Sequence, residues 1–177
     1  MELQGGTCYL LEAAKPEVAF RVLRLQERAG RPCLCITREY PDRVRARLAL
    51  RSSRLYWLAD APGIDRLNPK AIAGLAKLIE DFVQANPGGA VVLLDGLEYL
   101  IHGNGFDHVL TLVEHLNEFV MTRNAVLLLP VSPKALERQQ LALLERFVEV
   151  PDVEAWKAEL DARDWSGRLG TTGAPPS

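Results

Sequence analysis

Five short apolar runs, each closed by a polar or turn residue, limit this chain to a narrow set of folds. They occupy residues 7–12, 32–37, 54–59, 90–94 and 125–131. An apolar run of this length, bounded by turn signals, reads as a strand buried on both faces. The fourth run, Ala90-Val-Val-Leu-Leu94, stops abruptly at a carboxylate, Asp95, and then at Gly96.

Helical periodicity fills the gaps between the runs. Val18, Ala19, Val22, Leu25 and Ala29 form one apolar stripe, entered through Pro16 and stopped at Gly30. Ile72, Leu75, Ala76, Ile79, Phe82 and Val83 form a second, and Asn68-Pro69 supplies a cap-plus-proline start for it. Phe106, Val109, Leu110, Val113, Leu116 and Val120 form a third. Ser132-Pro133 repeats the start signal ahead of Leu136, Leu143, Leu144, Phe147 and Val148. Strands alternating with helices predict an α/β domain with three α/β/α layers around a central, mostly parallel, five-stranded sheet.

The 177 residues are enough for one such core. The reading assigns 1–150 to a single domain, 151–164 to a loosely attached helix and 165–177 to a disordered Gly/Thr/Pro tail. A net charge of -2 argues against nucleic acid and anionic membranes as partners. No apolar run is long enough to span a bilayer, and the start lacks the basic and apolar regions of a signal peptide. Cys8, Cys33 and Cys35 lie in apolar runs and read as reduced, buried thiols. A cytoplasmic location is therefore expected.

Parallel strands present all their carboxyl ends on one edge, where open α/β sheets place ligands. Glu12, Arg38-Glu39, Asp60, Asp95 and Ser132 end the five runs. Asp95 reads either as a ligand-facing carboxylate or as a strand-end cap. If the chain turns helical after it, Glu98 shares its face, as an acid/base partner or as a support for the cap. His102 and His108 flank Gly103-Asn104-Gly105; surface histidines are favoured over a metal pair. Cys33 and Cys35 are read as core rather than metal ligands. Arg38, Arg43, Arg45, Arg47, Arg51 and Arg54 form a basic stretch, read as a solvated face rather than a phosphate-binding patch. The chain has no Gly-x-Ser-x-Gly elbow, and no Gly-x-Gly-x-x-Gly follows its first strand.

Several of these segments together resemble a known family. Leu94-Asp-Gly-Leu-Glu-Tyr-Leu100, Asn104-Gly-Phe106, residues 130–136 and Leu143-Leu-Glu-Arg146 closely resemble a prokaryotic domain of unknown function, family number 835. Tyr9-Leu-Leu-Glu12, Cys35-Ile-Thr-Arg38 and Asn68-Pro69 fit its pattern too, and the resemblance spans about residues 5–150. Its members are often fused to, or encoded beside, signalling modules. The resemblance thus implies a regulatory role through protein partners.

More distantly, the chain resembles the RecA/KaiC-like ATPase core. That resemblance implies a strand order of third, second, fourth, fifth, first. It also implies a metal-holding role for Asp95, a water-activating one for Glu39 and a sensing one for Ser132. The phosphate loop of that core is absent: where Gly-x-x-x-x-Gly-Lys-Ser/Thr belongs, the chain has Glu12-Ala-Ala-Lys-Pro-Glu17. The expectation is a RecA-like module without a Walker A motif, with no catalytic residues and no cofactor. Lys15, Arg38, Glu39, Asp95, Glu98 and Ser132 are its candidate ligand or interaction residues, and Asp95 is the metal ligand if there is one. A homo-oligomer is compatible with the sequence. The alternative is a binder or hydrolase of a small anion or nucleotide, with Lys15 and Arg38 on the anion and Asp95 with Glu39 on a metal or proton.

Overall fold

The computed structural model describes residues 1–169, with side chains through Ser166. Six strands form one sheet: β1 (Thr7–Glu12), β2 (Cys33–Thr37), β3 (Arg54–Leu58), β4 (Arg66–Leu67), β5 (Ala90–Leu94) and β6 (Ala125–Val131). Their spatial order is β1-β6-β5-β2-β3-β4, and every pairing is parallel. The five expected strands thus stand in the expected order. The expected count of five is corrected to six by β4, which pairs Arg66 with Trp57 and Leu67 with Leu58 at the sheet edge. Two residues carry no readable alternation, so no pattern marks this strand.

Seven helices cover the sheet: α1 (Glu17–Arg28), α2 (Pro41–Leu48), α3 (Ile72–Ala85), α4 (Leu97–Asn104), α5 (Phe106–Met121), α6 (Arg138–Glu145) and α7 (Val153–Leu169). Side chains of a strand alternate between faces. Val92 and Leu94 therefore join one core with Leu10, Leu34, Ile36, Leu127 and Leu129, beneath α3, α4, α5 and α6. Val91 and Leu93 join the other with Leu11, Cys33, Cys35, Val126 and Leu128, beneath α1, α2 and α7. β5 and β6 are buried at every residue, which explains their unbroken apolar sequence.

Two expected helix starts are corrected. Asn68 does not cap α3: its side chain accepts the Lys70 N–H at 2.9 Å in a local turn, and the helix begins at Ile72. Ser132-Pro133 opens only a 3-10 turn, Pro133–Ala135, and α6 starts later through a Glu137/Gln140 capping box. Phe147, expected in the core, is 38% exposed. The last helix runs to Leu169, past the expected boundary at 164, and buries Val153 and Leu160. The tail expected from 165 onward therefore begins no earlier than 170, and residues 170–177 lie outside the described residues. No helix among the described residues is long and apolar enough to cross a membrane.

Candidate functional site

The helices after β1 and β2 pack on one face of the sheet, and those after β5 and β6 pack on the other. Wherever neighbouring strands send their chains to opposite faces, a crevice opens at the carboxyl edge. There are two such places, between β5 and β2 and between β6 and β1. Both contain expected site residues.

At the β5/β2 crevice, Asp95 is half-buried. The buried Thr37 hydroxyl donates to Asp95 Oδ2 at 2.8 Å and accepts the Glu39 N–H at 2.9 Å. Burial pushes the Asp95 carboxyl up from its ordinary value, and the nearby charges of Glu39 and Glu98 push the same way. The bonds from Thr37 and from the Arg38 backbone oppose this without cancelling it. Glu39 is held by an arginine. Both its oxygens accept from Arg47 Nη2, each at 3.0 Å, and Arg47 also holds Glu17 at 2.6 Å.

Arg38 turns the other way and closes the top of the crevice. Its guanidinium lies 3.3 Å from the centroid of the Tyr99 ring, which α4 brings across from β5. The Tyr99 hydroxyl donates to Asp60 Oδ2 at 3.1 Å, beyond the end of β3. Gly96 makes room for this arrangement. Its φ is +130°, and an added Cβ would sit 2.8 Å from Arg38 Cγ and 3.0 Å from Leu58 Cδ1. The Arg38 carbonyl accepts from Trp57 Nε1 at 3.2 Å. The Trp57 ring meets Tyr40 edge-on at 5.4 Å and carries the Arg66 guanidinium at 5.0 Å. Arg38, Tyr40 and Arg66 are exposed, and neither arginine has a carboxylate within ion-pair distance among the described residues.

The β6/β1 crevice holds Lys15, Asp95, Glu98 and Ser132 around a cavity of about 40 Å³, together with Ala13, Ala14, Pro16 and Pro130. Glu98 Oε1 accepts the Ser132 N–H at 2.6 Å, so its carboxylate ties α4 to the loop after β6. Glu12 ends β1 beside Glu145, the last residue of α6. Burial and then Glu145 raise the Glu12 carboxyl, and Glu12 Oε1 is a buried acceptor without a donor among the described residues. This corner has acids where a phosphate loop has N–H donors.

The six expected residues therefore do not form one site. Lys15, Asp95, Glu98 and Ser132 converge; Arg38 and Glu39 leave them, drawn by Tyr99 and Arg47. The expectation missed Thr37, Tyr40, Trp57, Tyr99 and Glu145. Tyr99 could have been found, since it lies one helical turn past Asp95 on the segment flagged for turning helical. His102 and His108 sit on α4 and α5 instead of a loop, and no cluster of three metal-ligating side chains occurs among the described residues. His108 borders a groove of about 560 Å³ between α3 and α5, far from these charges and lined by Ile72, Ala76 and Leu112. Of the basic stretch, Arg45 bonds the Ser53 carbonyl and Arg47 bonds carboxylates, so it offers no continuous anion-binding face.

No curated protein matches the chain. Among solved structures it is similar to the KaiC-like protein PH0186 from the hyperthermophilic archaeon Pyrococcus horikoshii OT3. That match has a TM-score of 0.57 and 15% identity, and it covers 81% of this chain and 70% of that one. At this identity the likeness establishes a RecA-like fold and nothing finer. The family model described as "Protein of unknown function (DUF835)" matches residues 13–148, a span that includes Lys15, Arg38, Glu39, Asp95, Glu98 and Ser132, and the chain belongs to that family.

Proposed function

We propose that this domain is a non-catalytic RecA-like module that works by binding a protein partner through the carboxyl edge of β2 and β3. The observation that carries the reading is the contrast in chemistry along that edge. The β6/β1 corner, where a nucleotide phosphate would enter, is small and places Asp95 and Glu98 beside a single lysine, Lys15. The β2/β3 corner presents Arg38 on Tyr99 and Arg66 on Trp57, with Tyr40 beside them. Tyrosine, tryptophan and arginine dominate the energetics of protein interfaces, and guanidinium groups already held on aromatic rings lose little freedom on binding. The resemblance to a family often fused to, or encoded beside, signalling modules supports a regulatory complex as the setting for this contact. The other reading, a nucleotide binder or hydrolase, asks Asp95 to hold a metal. Against it, the corner beside Asp95 is small and brings in a second carboxylate, Glu98.

The test immobilises the wild-type chain and its Arg38→Ala and Tyr40→Ala variants and challenges each with lysate of the source organism. Any retained protein is then purified and its affinity measured directly. The reading expects a partner that binds wild type and is lost with Arg38→Ala. A partner that binds all three chains equally, or none that survives purification, contradicts it.

A further inference from the structure

Two arginines on the β2/β3 edge are held in the same unusual way. The Arg66 guanidinium lies 5.0 Å from the centroid of the Trp57 ring, and the loop before it, residues 59–65, closes against its stem. A Cβ added at Gly63 would sit 2.7 Å from Arg66 Nε and 2.8 Å from its Cδ. Arg38 lies on Tyr99, with Gly96 against its stem. Trp57 links the two, since its Nε1 donates to the Arg38 carbonyl. Neither guanidinium donates to a carboxylate or a carbonyl among the described residues. Arg21, Arg24, Arg45 and Arg47, by contrast, each hold a carboxylate or a carbonyl of this chain. The same loop lifts Ile64 into solvent. It is 93% exposed, the most exposed large apolar side chain among the described residues, and Tyr40 on Trp57 is 47% exposed. A lone exposed isoleucine is ordinary; this one stands two residues from a free, ring-held arginine.

We infer, resting on the protein-binding reading of this edge, that the partner engages it with an acidic peptide segment: two spaced carboxylate side chains over Arg38 and Arg66, and an apolar residue that covers Ile64 and Tyr40. Charge complementarity carries the assignment. A guanidinium presents a fork of N–H donors that fits a carboxylate, and here both forks lack an acceptor. The rings and glycines already fix the two side chains, so little freedom is lost when an acid arrives. The surroundings set the spacing. Asp60 and Asp65 stand in the same loop as Ile64, so an unbroken run of acids is repelled, whereas carboxylates set apart over the two arginines are not. The same chemistry disfavours single-stranded nucleic acid. Tyr99 already carries Arg38, and Trp57 carries Arg66 and Tyr40, so these rings do not offer the open faces on which bases stack.

The experiment selects random dodecapeptides, displayed on phage, on the immobilised full-length chain. Enriched peptides are synthesised, and those that lose binding with Tyr40→Ala are assigned to this surface. Their sequences are expected to carry spaced aspartates or glutamates beside an apolar residue. Affinity should fall about tenfold or more with Arg38→Gln or with Arg66→Gln, and to a lesser extent with Ile64→Ser. It should fall as well with added salt, and when the peptide acids are replaced by their amides, a change that leaves the protein untouched. Tyr40-dependent peptides that are neutral or basic, or whose amide versions bind equally well, overturn the acidic assignment and leave the protein-binding reading standing. A selection that yields no Tyr40-dependent peptide overturns both. Binding of a single-stranded oligo-U RNA that is lost with Arg38→Gln and Tyr40→Ala overturns the inference in favour of nucleic acid.

Discussion

The two crevices at the carboxyl edge come from the same topology and hold opposite chemistry. The β6/β1 corner is narrow and carries carboxylates beside Lys15: Glu98 accepts the Ser132 N–H, and Glu12 lies against Glu145 behind it. The β5/β2 corner ends in exposed arginines stacked on aromatic rings, with no carboxylate paired to them among the described residues. Asp95 stands between the two and accepts from the Thr37 hydroxyl. A RecA-like fold can thus keep its strand order and its strand-end aspartate while the side chains along its carboxyl edge differ from one crevice to the next. What the edge does depends on the loops and on which side chains they leave unpaired.

The strongest way to break the contrast is to fill the space at Gly96. Gly96→Val places a β-branched residue at φ +130° and drives into Arg38 and Leu58. It should cost about 3 kcal/mol of stability by denaturant titration and abolish partner binding, because Arg38 can no longer lie on Tyr99. Next comes Arg38→Ala, which removes an exposed side chain. Stability should change by less than about 1 kcal/mol, whereas affinity for the partner should fall by about 2 kcal/mol or more, roughly thirtyfold. Lys15→Ala, in the other corner, should leave that affinity unchanged.

Glu98→Gln sharpens the structural reading of the closed corner. It weakens a charged acceptor for the Ser132 N–H and should cost about 1 kcal/mol, with no effect on partner binding. The smallest effect comes from Asp95→Asn and has the opposite sign. Burial raises the folded-state pKa of Asp95 above its unfolded value, so its ionisation opposes folding at neutral pH. That opposition fades as pH falls through the folded pKa. An amide oxygen can still accept the Thr37 hydroxyl. Asp95→Asn should therefore be more stable than wild type at pH 7, and thermal melts should show the gain shrinking as pH drops towards about 4.

Much of this was legible in the sequence, for identifiable reasons. β5 and β6 are covered on both faces, so their residues are apolar without interruption and mark the strands directly. The order of those strands came from the resemblance, since periodicity carries no information about neighbours. β4 was hidden because two residues are too few for a pattern. The grip of α7 was hidden because its apolar contacts are few and its ion pairs reach Arg21 and Arg24, which are far off in sequence. At the edge, Asp95, Glu98, Lys15 and Ser132 were found because they end strands or follow them. Arg38 was found for the same reason, but its destination was not: Tyr99 is far off in sequence and meets it only because β2 and β5 are neighbours.

The claim on which the account rests is that the phosphate corner no longer accepts a nucleotide. Its most direct test is thermal unfolding of the wild-type chain with millimolar ATP, ADP or GTP and Mg²⁺, beside the same titration of Asp95→Asn. A ligand that binds only the folded state must raise the melting temperature in a saturable way. The account predicts no rise with any of them in either chain. A saturable rise in wild type that is lost with Asp95→Asn would contradict it and restore Asp95 as the residue that holds a metal-bound nucleotide.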